Sequence, residues 1–428
     1  MIQTFRKAWA IPELRKKIVF TVMILLIFRV GNAIPTPYVD TQLLTAYIES
    51  TGGSLLSLYN MMSGGAFAAA TIFALGVQPY INSSIIIQLL TVAIPALERL
   101  AREGGEAGKK KIASITRYAT VAIALLQAFG YYMICKNQGI LEQSGIWPAL
   151  VIIVTFVAGS SFIMWLGEQV NEFGIGNGIS MILFAGILAR LPQIAESAFF
   201  SIKNGGAVAA IWTLVFLAFV LGMIVLIVRV NAAERRIPVQ YAKRQVGRKM
   251  YGGQASTLPM KVNMSGVLPV IFAQSIASLP ATVWAFVGTP EEGTIGRGIY
   301  DAIDSQSILY MVVYFLLIIG FSYFYATIQF NPVEISNNLK KNGGFIPGFR
   351  PGQPTSQFIA KVLNKVTLFG AIYLGIVAIA PLVIGKFVGD YGLALGGTSV
   401  IIVVGVALET VQALESQMLM RQYKGFLE

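Results

Sequence analysis

Long apolar segments, separated by short polar ones, recur along the whole chain. A helix that crosses a membrane needs about 20 predominantly apolar residues, and about ten segments come close to that length. They lie at 18–33, 73–94, 112–134, 148–166, 179–191 with its flanks, 207–228, 267–287, 307–330, 367–384 and 393–414. The pattern predicts an all-α membrane protein with about ten transmembrane helices.

The segment 75–90 departs from this pattern, because asparagine, glutamine and serine residues interrupt its apolar surface. A lipid-facing helix is expected to be apolar all round. Val77 and Ile81 are one helical turn apart and share a face, with Asn82 beside them. Pro79 lacks a backbone donor, so the carbonyl one turn before it is expected to need another partner. This helix is therefore expected to face either a polar cavity or other packed helices, and both alternatives stay open.

The composition supports a membrane protein and excludes several kinds of site. Hydrophobic residues make up 55% of the 428 residues and charged residues 12%, against about 25% charged in soluble proteins. With no histidine and a single cysteine, Cys135, the chain has no histidine-based catalytic or zinc site and no internal disulfide. It also lacks the GxxxxGK phosphate-binding loop. We therefore expect no metal, no cofactor and no enzymatic activity.

The net charge of +12 is unevenly distributed. Of the 32 Lys and Arg residues, 26 lie in loops on one side of the predicted membrane and five on the other. Because such residues accumulate in cytoplasmic loops, both termini are predicted to be cytoplasmic. Residues 1–17 are basic and amphipathic and lack a small-residue cleavage site, so we expect no removable signal peptide.

Two ionisable residues lie inside predicted spans, Arg29 in the first and Glu409 in the tenth. Ionisable groups in a membrane are functional candidates by default. Pairing with a neighbouring helix is at least as good an explanation for both, and Arg29 is also able to snorkel toward the membrane surface. The other polar groups in the spans are mostly neutral, whereas an ion-coupled carrier would show more acidic residues at this depth.

A short apolar segment, 55–67, lies between the first two spans. It is too short to cross a membrane, and it ends near Gly64 and Gly65, which permit a sharp reversal of the chain. Two interpretations stay open: a re-entrant helix seated in a cavity, and an amphipathic helix on the outer surface of the membrane.

Two predicted cytoplasmic loops are long and basic. In 234–263, β-favouring residues flank Gly252 and Gly253, which predicts a protruding hairpin with its turn at these glycines. In 331–355, glycine and proline residues turn the chain around Arg350. Loops of this length usually carry function, so we expect them to bind a partner. The alternative is that they only set orientation and contact anionic lipid.

Five longer motifs carry a family resemblance. They read LGVQPYINSSIIIQLL, EFGIGNGISMILFAGI, PVQYAKRQVGRKMYGGQASTLPMKVNMSGVLPVIFAQS, FNPVEISNNLKKNGGFIPGFRPG and LMRQYKGFL. In this order and at this spacing they resemble the SecY family, the channel subunits of the bacterial protein translocase. The resemblance implies two pseudo-symmetric halves of five spans each, 1–195 and 207–428, joined by a hinge at 196–206 around an hourglass pore. The cytoplasmic loops at 231–263 and 331–363 would belong to the second half.

The resemblance also implies four functional sites. A ring of aliphatic side chains at the pore waist would consist of Val77, Ile81, Ile179, Leu183, Ile271 and Ile402. A plug helix at 55–67 would contain Leu55, Leu58, Tyr59, Asn60, Met61, Met62, Ser63, Gly64 and Gly65. Polar contacts of a lateral gate would be Asn82, Gln88, Thr116 and Gln274. Cations for docking a motor or ribosome would be Lys243, Arg244, Arg248, Lys249, Lys340, Lys341 and Arg350.

The function implied by the resemblance is a protein-conducting channel in the bacterial cytoplasmic membrane. It would move unfolded secretory polypeptides across the membrane and release apolar segments laterally into lipid. The implied partners are the small subunits SecE and SecG, the motor ATPase SecA, and the ribosome through its RNA. A secondary transporter of a small solute is the main alternative, but it predicts a coordinated site that the motifs do not show. A ribosome scaffold would leave the pore motifs unused, and an intramembrane enzyme has the least support.

Overall fold

The protein is predominantly helical. The computed structural model describes residues 2–424 apart from 51–58, 61–62, 144, 205, 242–243, 247–248, 252–254, 265, 288–296, 299–301, 303–306 and 389–396. The helices are α1 Ile2–Ala10, α2 Pro12–Gly31, α3 Thr41–Ser50, α4 Gln78–Ala93, α5 Pro95–Arg102, α6 Gly105–Asn137, α7 Ile146–Phe173, α8 Gly178–Leu188, α9 Leu191–Asn204, α10 Gly206–Ala232, α11 Leu268–Val287, α12 Ile308–Gln329, α13 Pro332–Lys341, α14 Gln353–Val388 and α15 Gly397–Lys424. The strands are β1 Glu234–Tyr241, β2 Arg244–Val246, β3 Lys249–Tyr251, β4 Ala255–Lys261 and β5 Gly344–Phe345.

Seven helices in the described ranges are long and apolar enough to cross a membrane, or eight if the bent pair α4 and α5 is one span. A multi-span helical protein is therefore confirmed, whereas the predicted number of about ten is not. The first predicted span, α2, falls short because Arg15, Lys16 and Lys17 lie in its first turns and Arg29 near its end. Helix α11 is not among the seven either, because its apolar part, Leu268–Pro280, is shorter than a membrane span.

The second predicted span begins later than its apolar pattern suggested. Residues 63–77 consist mainly of turns, and α4 begins only at Gln78. Pro79 occupies the first turn of α4, where backbone N–H groups have no acceptor within the helix in any case. The expectation that Pro79 leaves a carbonyl in need of a partner is therefore wrong. At Ile94 and Pro95 the chain bends by 105° into α5.

Helix contacts group the spans into two sets. Helices α4, α6, α7 and α8 pack in succession, as do α11, α12, α14 and α15, with α10 against α15. The two sets meet where α4 and α6 contact α11, and again where α8 contacts α15. The segment predicted as a hinge, 196–206, is mostly the second part of α9, and α9 packs on α10. It is helical rather than an open linker.

A small β-sheet packs against the second set of helices. Strand β1 pairs antiparallel with β4 along its whole length, from Glu234 opposite Lys261 to Gln240 opposite Ala255. The strands of the predicted hairpin are therefore present, and its predicted turn at Gly252 and Gly253 lies outside the described residues. Strands β2 and β3 also pair antiparallel, with Val246 opposite Lys249. The sheet packs on α12 and α14 through a buried cluster. Its members include Ile237, Val239, Met260, Ala326, Ile346, Ile359 and Leu363.

Candidate functional site

All six predicted ring residues are buried and belong to one hydrophobic cluster. They are Val77 just before α4, Ile81 within α4, Ile179 and Leu183 of α8, Ile271 of α11 and Ile402 of α15. Their exposed fractions run from 1% for Ile402 to 9% for Ile179. Helices from both sets thus contribute branched aliphatic side chains to a common core.

Two asparagines fix Ile179 at the start of α8. The Oδ1 atom of Asn177 accepts hydrogen bonds from the backbone N–H groups of Ile179 at 3.1 Å and Ser180 at 3.3 Å. The Oδ1 atom of Asn171, in α7, accepts one from the N–H of Gly178 at 2.7 Å. Asparagine is a favoured residue for capping a helix N-terminus. The stretch NGIS carries this signal, although the predicted site did not include it.

Two glycines allow α7 and α8 to approach closely beside Ile179. A Cβ atom on Gly178 would lie 2.0 Å from the backbone oxygen of Gly167. A Cβ atom on Gly167 would lie 2.5 Å from Cδ1 of Ile179. A side chain at position 178 would meet backbone, so this position requires glycine, whereas a side chain at position 167 would displace the end of the Ile179 side chain. The sequence spacing of these glycines did not point to this role.

A similar close approach joins α11 to α15. A Cβ atom on Gly405 would lie 2.4 Å from Cγ2 of Val267, which immediately precedes α11. Ile271 follows Val267 by one turn, and Ile402 precedes Gly405 by about one turn. This contact therefore lies close to the two ring residues from the second set of helices.

In the described part of the predicted plug, two helical residues are followed by a compact turn. Tyr59 and Asn60 are helical, 63–70 are turns, and Leu55, Leu58, Met61 and Met62 lie outside the described residues. The Oδ1 atom of Asn60 accepts a hydrogen bond from the N–H of Ala68 at 3.0 Å. The hydroxyl of Ser63 accepts one from the N–H of Phe67 at 3.0 Å. These side-chain bonds replace the regular ladder that the predicted helix would have at 63–67.

This turn is seated against three helices. A Cβ atom on Gly64, whose φ is +71°, would lie 2.7 Å from the backbone oxygen of Gly186 in α8. The hydroxyl of Tyr131, in α6, donates to the carbonyl of Phe67 at 2.7 Å. The Nδ2 atom of Asn32, at the end of α2, donates to the carbonyl of Ser63 at 3.4 Å. Gly65 has nothing within 4 Å of its Cβ position, and its φ of +92° favours glycine for conformation alone.

The four predicted gate residues make different contacts. Gln88 of α4 accepts a hydrogen bond from the hydroxyl of Tyr325, which lies in α12. Asn82 and Gln274 are buried, in α4 and α11. Thr116 donates its hydroxyl proton to the carbonyl of Ile112 on its own helix at 3.0 Å. Tyr325 was not part of the predicted gate, and nothing in its sequence surroundings pairs it with Gln88.

Arg350 is exposed, but the backbone around it is held in place. The hydroxyl of Thr355 donates to the carbonyl of Arg350 at 2.8 Å, and that of Ser336 donates to the carbonyl of Gly352 at 2.7 Å. The rings of Phe349 and Phe358 stack with their centroids 4.2 Å apart. The exposed side chain of Arg350 therefore extends from a turn whose backbone is held by hydrogen bonds.

The remaining docking cations lie nearby in the chain or beyond what the structure describes. Lys340 and Lys341 are exposed at the end of α13. Arg244 and Lys249 belong to β2 and β3, and Lys243 and Arg248 lie outside the described residues.

The two basic loops are joined to each other by main-chain pairing. Strand β5, from the loop that carries Arg350, pairs antiparallel with the end of β1, with Gln240 opposite Phe345 and Tyr241 opposite Gly344. A Cβ atom on Gly344 would lie 2.9 Å from Cε1 of Tyr241. The β-pairing makes one structural unit of two loops that are about 100 residues apart in sequence.

The structure also places the ionisable residues that lie in the helices. Arg117 of α6 forms an ion pair with Glu168 of α7, with Nε and Oε1 2.8 Å apart. Arg117, one of the 26 cations predicted to lie in loops on one side, lies inside α6. Glu409 of α15 has its Oε1 atom 2.8 Å from the Cβ position of Gly266. One turn away, Gln412 accepts a hydrogen bond from the ammonium group of Lys261 at 2.9 Å. Arg29 is exposed.

Known proteins similar to this chain agree with the motif resemblance. The sequence profile of the SecY family matches residues 71–411. The protein translocase subunit SecY of Streptomyces scabiei is 43% identical over 100% of both chains. The fold is similar to that of a SecY protein whose plug domain stabilises the closed state of the translocation channel, with a TM-score of 0.67, 18% identity and coverage of 94% and 92%. It is also similar to Sec61 in a canine ribosome-channel complex, with a TM-score of 0.62, 16% identity and the same coverage.

Proposed function

The chain belongs to the SecY family of protein translocase subunits, and on this premise we propose how its described residues open and close a path for an unfolded polypeptide. The family membership establishes a membrane channel subunit for protein translocation, not an enzyme, and it does not favour the solute-transporter alternative. The proposal concerns the residues that form the pore, the plug, the gate and the docking surface.

The six ring residues are proposed to form the pore waist. Branched aliphatic side chains from four helices close around an extended polypeptide and dewet when the pore is empty, which impedes ions. Contacts of this kind recognise no particular sequence. The observation that carries this part of the proposal is the burial of all six side chains in one cluster built from both sets of helices.

The turn that contains Gly64 is proposed to be the base of a plug. It contacts α8 at Gly186, one turn beyond the ring residue Leu183. Hydrogen bonds from Asn32, at the end of α2, and Tyr131 of α6 hold it, and the ring of Phe67 packs edge-on against that of Tyr131. Few polar bonds need to break for the segment to leave, and an incoming polypeptide would replace its apolar contacts.

The boundary of α4 and α6 with α11 and α12 is proposed to be the lateral gate. A hydrogen bond from Tyr325 to Gln88 links the two sets of helices across it. Such bonds contribute about 0.6 kcal/mol on average in membranes, so an apolar signal segment that intercalates there is able to replace them. Asn82 and Gln274 give the boundary a wettable interior, and Thr116 contributes less because its proton is used within α6.

The joined basic loops are proposed to be one docking surface for a motor ATPase of the SecA type or for a ribosome. The support is the pairing of β1 with β5, which lets a partner that engages Arg350 also act on the hairpin. Ribosomal RNA phosphates suit the cations of the hairpin through counterion release. A relative of similar fold, canine Sec61, is named for its ribosome-channel complex.

Several finer parts of the proposal rest on the family resemblance. The chain would assemble with the small membrane subunits SecE and SecG in the bacterial cytoplasmic membrane. Its termini would be cytoplasmic, because the loops on that side carry most of the Lys and Arg residues. The two halves, 1–195 and 207–428, would move apart about the helical connection at 196–206.

The test uses vesicles that contain the chain, its small partner subunits and purified SecA. The readout is ATP-dependent protection of a secretory precursor from protease. The variant Arg350→Glu is compared with Lys136→Glu, an equal charge reversal at an exposed residue on the opposite predicted side. We expect Arg350→Glu to lose protection and Lys136→Glu to retain it.

Two outcomes would contradict the proposal. Full protection with Arg350→Glu would remove this residue from motor coupling. Absence of protection with the unaltered chain, together with saturable uptake of a small solute, would contradict the protein-channel mechanism itself.

A further inference from the structure

The N-terminal helix α1 has an orientation that is fixed by the rest of the protein. The hydroxyl of Thr4 donates a hydrogen bond to Oε1 of Glu415 in α15 at 3.2 Å. Ala8, one turn later, is 0% exposed and packs in a small cluster with Leu14, Ile175 and Leu414. One face of α1 is therefore attached to the end of the last helix and to the start of α2.

A second face of α1 is apolar and exposed. Phe5 and Trp9 lie four residues apart, so their side chains share this face. Their exposed fractions are 44% and 51%. At about 100° per residue, the side chain of Lys7 points roughly 160° away from that of Trp9. The helix thus presents an aromatic face and, on its other side, a cationic one.

The helix that follows α1 also exposes an apolar side. Helix α2 follows α1 after Ile11, and beyond its basic first turns most of its exposed side chains are apolar. They include Val19, Val22, Met23, Leu26 and Ile27, each at least 40% exposed. In a membrane protein this exposed apolar side of α2 is expected to face lipid, and the aromatic residues of α1 precede it in the chain.

Exposed cations surround the junction of the two helices. Arg6 and Lys7 are exposed on α1, and Arg15 and Lys16 are exposed in the first turns of α2. Aromatic rings prefer the boundary between headgroups and acyl chains, and cations beside them attract anionic headgroups. The arrangement is complementary to a lipid surface in both its apolar and its charged parts.

We propose that α1 is an interfacial anchor whose Phe5 and Trp9 insert below anionic lipid headgroups, while Arg6 and Lys7 contact those headgroups from the water side. Because α1 is attached to α15 at Glu415, this anchor also connects the membrane surface to the helix that carries Ile402. It would fix the height of α2 and α15 relative to the lipid while other helices of the channel move.

The test places a nitroxide label on the full chain at position 9 or position 7, through Trp9→Cys or Lys7→Cys. The native Cys135 is buried, and the labelled wild-type chain shows whether it reacts. The chain is reconstituted into vesicles of phosphatidylcholine with phosphatidylglycerol. Paramagnetic resonance then measures the access of molecular oxygen, which concentrates in lipid, and of a nickel chelate, which stays in water.

We expect the label at position 9 to be accessible to oxygen and shielded from nickel, and the label at position 7 to show the opposite. Phe5→Cys provides a second label on the same face if Trp9→Cys reduces the yield of folded protein. Replacement of one headgroup-facing cation, in Arg6→Gln, is expected to lower the inserted fraction by up to roughly fivefold in the anionic vesicles. It should have no effect in phosphatidylcholine alone.

Three results would overturn the proposal. Access of nickel to position 9 would place the aromatic face in water. Shielding of position 9 from both reagents would mean that another protein chain covers this face. Equal insertion in anionic and zwitterionic vesicles, with and without Arg6, would remove the headgroup contact and leave no role for the cations.

Discussion

Inside the membrane, the six ring residues are aliphatic, no more than 9% exposed, and contributed by helices that approach at glycines. On the basic loops, Arg350 and the lysines of α13 are charged and exposed, and their backbone is held by hydrogen bonds from Ser336 and Thr355. In the interior, the side chains themselves are packed. On the loops, only the backbone is fixed, and the functional side chains extend from it.

This difference suits two different partners. A translocating chain presents every kind of side chain in turn, so the surface around it must close by shape and apolar contact alone. A docking partner presents one constant surface, which charged groups in a fixed arrangement are able to select. We therefore expect substitutions in the interior to act through packing volume, and substitutions on the loops to act through charge and backbone order.

The largest effect is expected from Gly178→Ala, because its Cβ atom would meet the backbone of α7 at 2.0 Å. Overpacking at a backbone contact should lower the free energy of unfolding by roughly 2–4 kcal/mol. The matched control is Gly222→Ala in α10, where nothing lies within 4 Å of the Cβ position, and where alanine should stabilise the helix by up to about 1 kcal/mol. Thermal unfolding in detergent measures both. Equal effects of the two variants would show that the close approach of α7 and α8 does not order the interior.

A large effect on conduction is expected from Ile402→Asn, whose amide would bring water into the closed ring. A barrier lower by about 1.4 kcal/mol would raise the ion leak of the resting channel roughly tenfold. Ile402→Val keeps a branched aliphatic group and should leave the leak nearly unchanged. Ion flux through reconstituted vesicles without precursor measures the leak. If the asparagine variant leaks no more ions than the valine variant, the side chain of Ile402 does not close the pore. Its burial, at 1% exposed, would then reflect packing in the core.

A moderate effect is expected from Ser336→Ala, which keeps every charge on the loops and removes the bond to the carbonyl of Gly352. Loss of this hydrogen bond should destabilise the turn that carries Arg350 by about 1 kcal/mol. We expect motor-driven translocation to fall by roughly fivefold as a result. Ser356→Ala is the control, because the Ser356 hydroxyl bonds only to the nearby carbonyl of Gln353 in the part of the chain that the structure describes. Initial rates of precursor protection measure both variants. Equal rates would show that the charge of Arg350 acts without a fixed backbone.

The sequence predicts the structure best where a residue pattern is compatible with a single type of element. Apolar length and the positions of cations predict a multi-span helical protein, and the β-favouring residues of the hairpin predict its strands. The errors arise where local composition does not decide. Residues 73–77 are as apolar as a span, but they lie in the turns that precede α4, where Pro79 occupies the first helical turn.

The contacts between distant segments were not predictable in this way. The pairing of β1 with β5 and the bond from Tyr325 to Gln88 join residues more than 100 positions apart. The ion pair of Arg117 with Glu168 depends on how α6 packs on α7. A single sequence gives the periodicity of each helix but not the identity of its neighbour, so such partners emerge only from the fold.

The smallest effect is expected at the boundary between the two sets of helices. This boundary shares burial with the ring residues and a specific polar bond with the loops. Tyr325→Phe removes the hydroxyl that donates to Gln88 and should favour the open gate by about 0.6 kcal/mol, or roughly threefold. Tyr323→Phe is the control, because its hydroxyl bonds to Asn364 within the second set of helices at 3.2 Å. Translocation of a precursor with a weakened signal segment measures gate opening. An increase with Tyr325→Phe alone would show that a polar bond sets the closing energy of this boundary. Equal behaviour of the two variants would show that apolar packing holds it closed, as it holds the ring.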